Sequence, residues 1–320
     1  MRMAFARREV LAGLAAAPAM GFAPAGAEVR ETIEGRPTLR NIPRKPVGLV
    51  YLFHGTGGSE AFATRRHTRI LTGKLLARGY GVAAAPSGRR TAPVQWDLGS
   101  VGSAENADIA YMLALHETLI RRGEIERATP VFTTGMSNGG GFANVFGVGA
   151  LRAGLPVRAI ADYMGPIPAA ARPPAVAARD YPPMFLVLGE NDGLVSAQTV
   201  GDVARSLAEA GATVELHQPR EQAVSPATFG VIEGLGDEAR RAIFQGLVDA
   251  AVLDAAGRRL VFRDRPVLGR PEMAELARMI PAGPHSRDVM DELLIAWSAH
   301  QMRSDFADAQ LRFFERHRGR

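Results

Sequence analysis

The chain has 320 residues, 47% of them hydrophobic, and a formal net charge of +5 from 38 Lys and Arg against 33 Asp and Glu. That length fits one large α/β domain with an insertion, and the absence of cysteine excludes disulfides, thiolate metal sites and a cysteine nucleophile. Basic residues are scattered, with no basic stripe interleaved with aromatics, so the charge makes no case for nucleic acid.

In chain order, Met1 to Ala27 reads as an export leader. Arg7-Arg8 precede an apolar run from Val10 to Met20, and Ala25-Gly26-Ala27 offers small residues for cleavage before Glu28. The paired arginines favour the twin-arginine route. A membrane anchor or a disordered tail is the rival, but the run is shorter than the roughly 20 residues that cross a bilayer. No later segment reads as a membrane span. A periplasmic or secreted protein is expected, folded from Glu28 to Arg320.

Apolar runs then alternate with amphipathic stretches, as in a parallel sheet covered by helices. Strands are predicted at Val47–Phe53, Gly81–Ala85, from Val131, at Ala159–Met164, at Met184–Leu188 and finally at Thr213–Leu216. Between them, helices are predicted over Ala61–Arg78 (with Ser59 near its start), from a Ser103 cap to Arg122, from Asn138, and over Ala197–Ala210. The alternation stops at Pro219. Residues 219–284 read as a lid-like cap, with helical patches at Asp237–Leu253 and Pro271–Met279. Helices at Asp288–Ala299 and Asp305–His317 close the chain.

Chemistry concentrates at Gly135-Met136-Ser137-Asn138-Gly139, a G-x-S-x-G pattern between a β-branched run and a helix-compatible stretch. This is the sequence form of a nucleophile elbow, in which glycines let a helix fold back on its strand and hold the serine on a strained turn. A serine hydroxyl needs a base, an orienting carboxylate and an oxyanion trap, here in the chain order Ser, acid, His.

His54-Gly55-Thr56-Gly57-Gly58, directly after the Val47 strand, supplies candidate oxyanion donors: the N–H of Thr56 (or of Gly57) together with that of Asn138. An ordinary glycine-rich turn is the plainer alternative, and a Walker loop is excluded because the Gly-Lys-Ser/Thr ending is missing. The acid is expected at Asp192, in Gly189-Glu190-Asn191-Asp192 after a strand, with Glu190 and then Asp162 behind it. A simple turn with Gly193 is the other reading of Asp192.

Of seven histidines, His54 lies in the oxyanion loop, His67 and His116 read as surface or packing residues, and His317 ends the last helix. His300 leads the candidates for the base, since it precedes the closing helix; His285 has the better loop composition, and His217 comes third. Arg89, Arg90 and Trp96, in the loop 86–101, read either as contacts to an aromatic or carboxylated substrate or as packing. No metal-ligand spacing is present.

Taken together, these motifs resemble the α/β-hydrolase superfamily, and most of all its secreted esterases of the polyhydroxyalkanoate-depolymerase and feruloyl-esterase type. The residues carrying the resemblance are the 54–58 loop, Gly135 to Gly140, Gly189 to Asp192, and more weakly His300-Gln301-Met302 with the Phe306–Phe314 helix. The resemblance implies an eight-stranded, mostly parallel sheet and ester hydrolysis without a cofactor, through an acyl-enzyme on Ser137, with Asp192 and His300 as partners. Small-molecule or polymeric esters are the implied substrates. Such esterases have a short loop between the last strand and the base, where this chain has the 219–284 insertion. A peptidase or amidase of the same fold, or a binding protein that kept the fold, are the rival functions.

Overall fold

The computed structural model describes residues 26–89, 91–172, 177, 180–263 and 270–319. The expected leader up to Ala25 and Arg90 lie outside them. Eight strands form one sheet in the order β1-β2-β4-β3-β5-β6-β7-β8. They are β1 (Val29–Ile33), β2 (Arg36–Asn41), β3 (Leu49–Phe53), β4 (Gly81–Ala84), β5 (Val131–Met136), β6 (Val157–Tyr163), β7 (Met184–Val187) and β8 (Val214–His217). β1 and β2 pair antiparallel, as do β2 and β4, and every other neighbouring pair is parallel.

Successive side chains of a strand face opposite ways, so a strand buried on both faces feeds two cores. Leu49, Tyr51 and Phe53 of β3 enter one, with residues of α2 (Ala107–Arg121), α3 (Asn138–Arg152) and α4 (Ala197–Glu209). Val50 and Leu52 enter the other, under α1 (Arg66–Ala77) and α8 (Ala307–His317). Six of the strands match the sequence expectation to within a few residues. The β1–β2 hairpin has no counterpart among the strands read from the residues. It turns at Glu34 and Gly35, with φ of 48° and 80°, the left-handed pair that a two-residue hairpin loop requires.

Two helix expectations need correction. The stretch read as one helix over 61–78 is a 3-10 turn at Glu60–Thr64, capped by the Ser59 hydroxyl, followed by α1. Arg65 separates them in an extended conformation, φ −66° and ψ 146°, which no continuous helix can contain. Nor does Ser103 cap α2. Asn106 does, its side-chain oxygen accepting from the N–H groups of Asp108 and Ile109.

The insertion carries α5 (Asp237–Asp249) and α6 (Arg270–Met279) around a third core of Val224, Phe229, Leu247 and Leu276. That core continues past residue 284 into α7 (Ser286–Ala296), through Leu293 and Trp297.

Candidate functional site

The elbow is built from steric necessity. Ser137 follows β5 and precedes α3 with φ 60° and ψ −129°, a strained setting for a residue with a side chain. Its N–H donates to the Tyr163 carbonyl at 2.8 Å, and its own carbonyl accepts from Gly141 N–H at 3.0 Å. A methyl group at Gly135 would overlap the Gly139 carbonyl, and one at Gly139 would overlap the carbonyls of Phe53 and His54. Both glycines of the motif are therefore demanded by the closeness of α3 to β5 and β3.

The 54–58 loop faces the elbow, and a methyl group added at Gly55 would stand 3.2 Å from the Ser137 Cβ. Gly57 N–H is consumed by the Val94 carbonyl at 2.7 Å, and Gly58 N–H by Gly55 at 3.0 Å. Of the N–H groups weighed as oxyanion donors, that of Gly57 is thus engaged, while those of Thr56 and Asn138 have no backbone acceptor among the described residues.

Asp192 and His300 meet. Their side chains are 1% and 10% exposed, and Nδ1 of His300 lies 2.8 Å from Oδ2 of Asp192. The other carboxylate oxygen accepts from the N–H groups of Leu194 and Val195, each at 2.9 Å. The carboxylate is thereby fixed in orientation and holds the proton on Nδ1. Nε2 of His300 is buried without a hydrogen-bond partner, and the ring lines a cavity of about 490 Å³ together with Ser137 and Thr56.

The alternatives fall elsewhere. Glu190 Oε2 accepts from Glu221 N–H. Asp162 is buried within the sheet, where desolvation pushes its carboxyl up to about 8, only partly offset by the Asn144 amide. His217 pairs with Glu215 at 3.0 Å and packs on Phe185 and Phe306. His285 lies 3.7 Å from Asp288, and neither it nor His217 lines the cavity. His67 does line it, but its nitrogens are engaged by Ser304 and Glu292, each at 2.9 Å. Burial lowers His116 to about 4.

Several residues that shape the site were not singled out in the sequence for these roles. The Asn138 side chain clamps the backbone of Trp96, accepting from its N–H at 2.7 Å and donating to its carbonyl at 3.2 Å. Trp96 is buried, stacks on Phe142 with 4.4 Å between centroids, and donates its indole N–H to the His54 carbonyl at 3.0 Å. Of its two readings in the sequence, packing is the one observed. Arg89 lines a separate cavity together with Trp96 and Asn138. His54 Nε2 accepts from Ser87 N–H at 3.0 Å, which leaves Nδ1 to donate to the Gly55 carbonyl at 2.7 Å.

A second staple holds the Asp192 loop to the segment that carries His300. Asn191 donates to Glu221 and to the Trp297 carbonyl, and its N–H meets the Ser298 carbonyl at 3.1 Å. Ser298, at φ 54°, ties its hydroxyl to the Pro219 carbonyl. Side-chain amides and hydroxyls that pin loops leave no spacing pattern in the sequence, so no signal short of the fold would have found them.

An eight-stranded, mostly parallel sheet in this strand order, flanked by helices, is the α/β-hydrolase fold. Neither a scan of family models nor a search of curated proteins gives a match to this sequence. Among solved structures, the chain is similar to the esterase Pf2001 of Pyrococcus furiosus, at 18% identity and a TM-score of 0.42, covering 60% of this chain and 81% of that one. It is similar to an acetyl xylan esterase from Aspergillus awamori, at 16% identity and a TM-score of 0.43, over 58% and 80% of the two chains. TT1662 from Thermus thermophilus aligns at 19% identity and a TM-score of 0.42, over 68% and 94%. No group of three or more His, Cys, Asp or Glu placed to hold a metal occurs among the described residues.

Proposed function

We propose that the protein is an exported serine hydrolase that cleaves carboxylic esters through an acyl-enzyme. The observation that carries this reading is the 2.8 Å contact from His300 Nδ1 to Asp192, with Nε2 left unbonded in the cavity that Ser137 lines. In the first half-reaction, Nε2 takes the Ser137 hydroxyl proton as Oγ bonds to the ester carbonyl carbon. The resulting oxyanion is received by the N–H groups of Thr56 and Asn138, each donor of this kind contributing about 3 kcal/mol in the transition state. Collapse breaks the bond to the alkoxide, which leaves with the proton from Nε2. In the second half-reaction, water gives a proton to Nε2 and its oxygen attacks the acyl carbon. Carboxylic acid is released and the Ser137 hydroxyl is restored.

Asp192 keeps the imidazole in the tautomer with Nε2 free to accept. Burial of the carboxylate, with its other oxygen occupied by two N–H groups, supports that role. Export rests on Arg7-Arg8, the apolar run and Ala25-Gly26-Ala27, and cell fractionation of the full chain checks it. The expected test of the chemistry is hydrolysis of p-nitrophenyl acetate. Ser137→Ala should lower kcat about 10⁶-fold and His300→Gln by about 10⁴-fold or more, while His285→Gln stays near wild type. Turnover retained in Ser137→Ala would remove the serine from its role.

A further inference from the structure

The cavity at Ser137 adjoins a second one of about 520 Å³, and both are lined by Arg65, Leu194, Asp291 and His300. To the second, α6 and α7 contribute Met273 and Met290, together with Arg287 and Asp288. The linings thus combine apolar side chains (Leu194, Met273, Met290) with charged ones (Arg65, Arg287, Asp288, Asp291). Leu194, two residues after Asp192, is 62% exposed and lines both cavities.

The charges are unevenly matched. Arg66 is committed to Glu292 at 3.2 Å and to Asp288. Arg287 faces Asp291, whose carboxyl is pushed up by burial and pulled back in part by that arginine, and which also accepts from Gln301 Nε2 at 2.6 Å. Arg65 is exposed, belongs to both linings, and has no carboxylate partner among the described residues. It stands in the extended link that separates the 3-10 turn from α1, and its side chain caps nothing. A guanidinium presents a planar fork of donors that matches a carboxylate in two parallel hydrogen bonds. Beside low-dielectric walls its field is felt more strongly than in open water.

We propose that the adjoining cavities select esters that carry a carboxylate, with the ester carbonyl at Ser137, the carboxylate on Arg65, and the aliphatic segment against Leu194, Met273 and Met290. The proposal rests on the hydrolase reading and narrows its substrate class. The ester bond is still the one that breaks, and the carboxylate takes no part in proton transfer.

The test compares methyl hexanoate with monomethyl adipate, which share acyl length and differ in the terminal charge, on wild type and Arg65→Gln. The expected result is that wild type prefers monomethyl adipate and that Arg65→Gln lowers the ratio of the two kcat/KM values at least tenfold, mainly through the KM of the charged ester. An unchanged ratio overturns the proposal while leaving the hydrolase intact. A turnover-independent arm uses calorimetry of adipate binding to the Ser137→Ala protein, with and without Arg65→Gln. Binding weakened at least tenfold by Arg65→Gln is expected, and equal binding, or none in either protein, counts against the site. If neither ester is cleaved but adipate binds through Arg65, the hydrolase reading fails and the anion site stands. Melting curves establish that Arg65→Gln is folded.

Discussion

At the residue scale the site is a set of backbone positions more than a set of side chains. Ser137 is held at φ 60° between two glycines that tolerate no methyl group. Those glycines were legible in the sequence for the same physical reason, since nothing else allows the approach. Asp192 was legible as a carboxylate after a strand and a glycine. His300 stood among alternatives, because residue type and spacing do not say which imidazole reaches a sheet edge. That depends on how the chain returns after residue 219. The Asn138 side chain was read only for its N–H, yet it clamps Trp96 and through it the His54 carbonyl. Asn138→Ala keeps the N–H and loses the clamp. It should cost about 1–3 kcal/mol of stability, the penalty for stripping partners from buried polar groups, and lower kcat on p-nitrophenyl acetate about tenfold with little change in KM. Denaturant melts and steady-state kinetics check both, and an unchanged kcat would mean that the 54–58 loop holds itself.

At the element scale, β6 and α3 meet through a buried acid. Asp162 pairs in register with Gly135 of the elbow strand; its carboxylate accepts from Asn144 at 2.7 Å, and Asn144 accepts from Tyr181 at 2.7 Å. A methyl group at Gly140 or Gly165 would overlap that carboxylate, so the first turn of α3 rests directly on it. Burial raises this carboxyl from 3.8 to about 8. The folded group therefore keeps a proton that the unfolded one gives up near 3.8. Its contribution is fully present below that pH, fades as pH rises, and is lost once pH passes about 8. Urea unfolding at pH 5, 6.5 and 8 should show wild type losing stability relative to Asp162→Asn, by up to about 1.4 kcal/mol per pH unit. Parallel curves would contradict a proton held at this position. Periodicity located α1 and α2 but misjudged their starts. The apolar Phe62 and Ala63 extend the helical pattern across Arg65, and Ser103 looks as good a cap as Asn106 until hydrogen bonds decide. The β1–β2 hairpin escaped because its strands are short and partly exposed, and Pro37 interrupts one of them.

At the scale of the whole molecule, two cores sandwich the sheet and a third gathers the insertion with α7. The parallel alternation was plain in the apolar runs, since strands buried on both faces are mostly apolar along their length, as in β3 (LVYLF) and β7 (MFLV). The internal partnership of α7 was not, because Leu293 and Trp297 read equally well against either core. It matters for the site: His300 follows α7, so the insertion's core and the staple through Asn191, Ser298 and Pro219 bring His300 to Asp192, 108 residues earlier. The central claim is that Ser137 is an activated nucleophile in this setting. Incubation with a fluorophosphonate probe, followed by mass spectrometry of the digested protein, tests that directly. One adduct is expected, on the peptide carrying Ser137, formed much more slowly in His300→Gln and absent in Ser137→Ala. An unlabelled wild type, or a label that persists in Ser137→Ala, would contradict it.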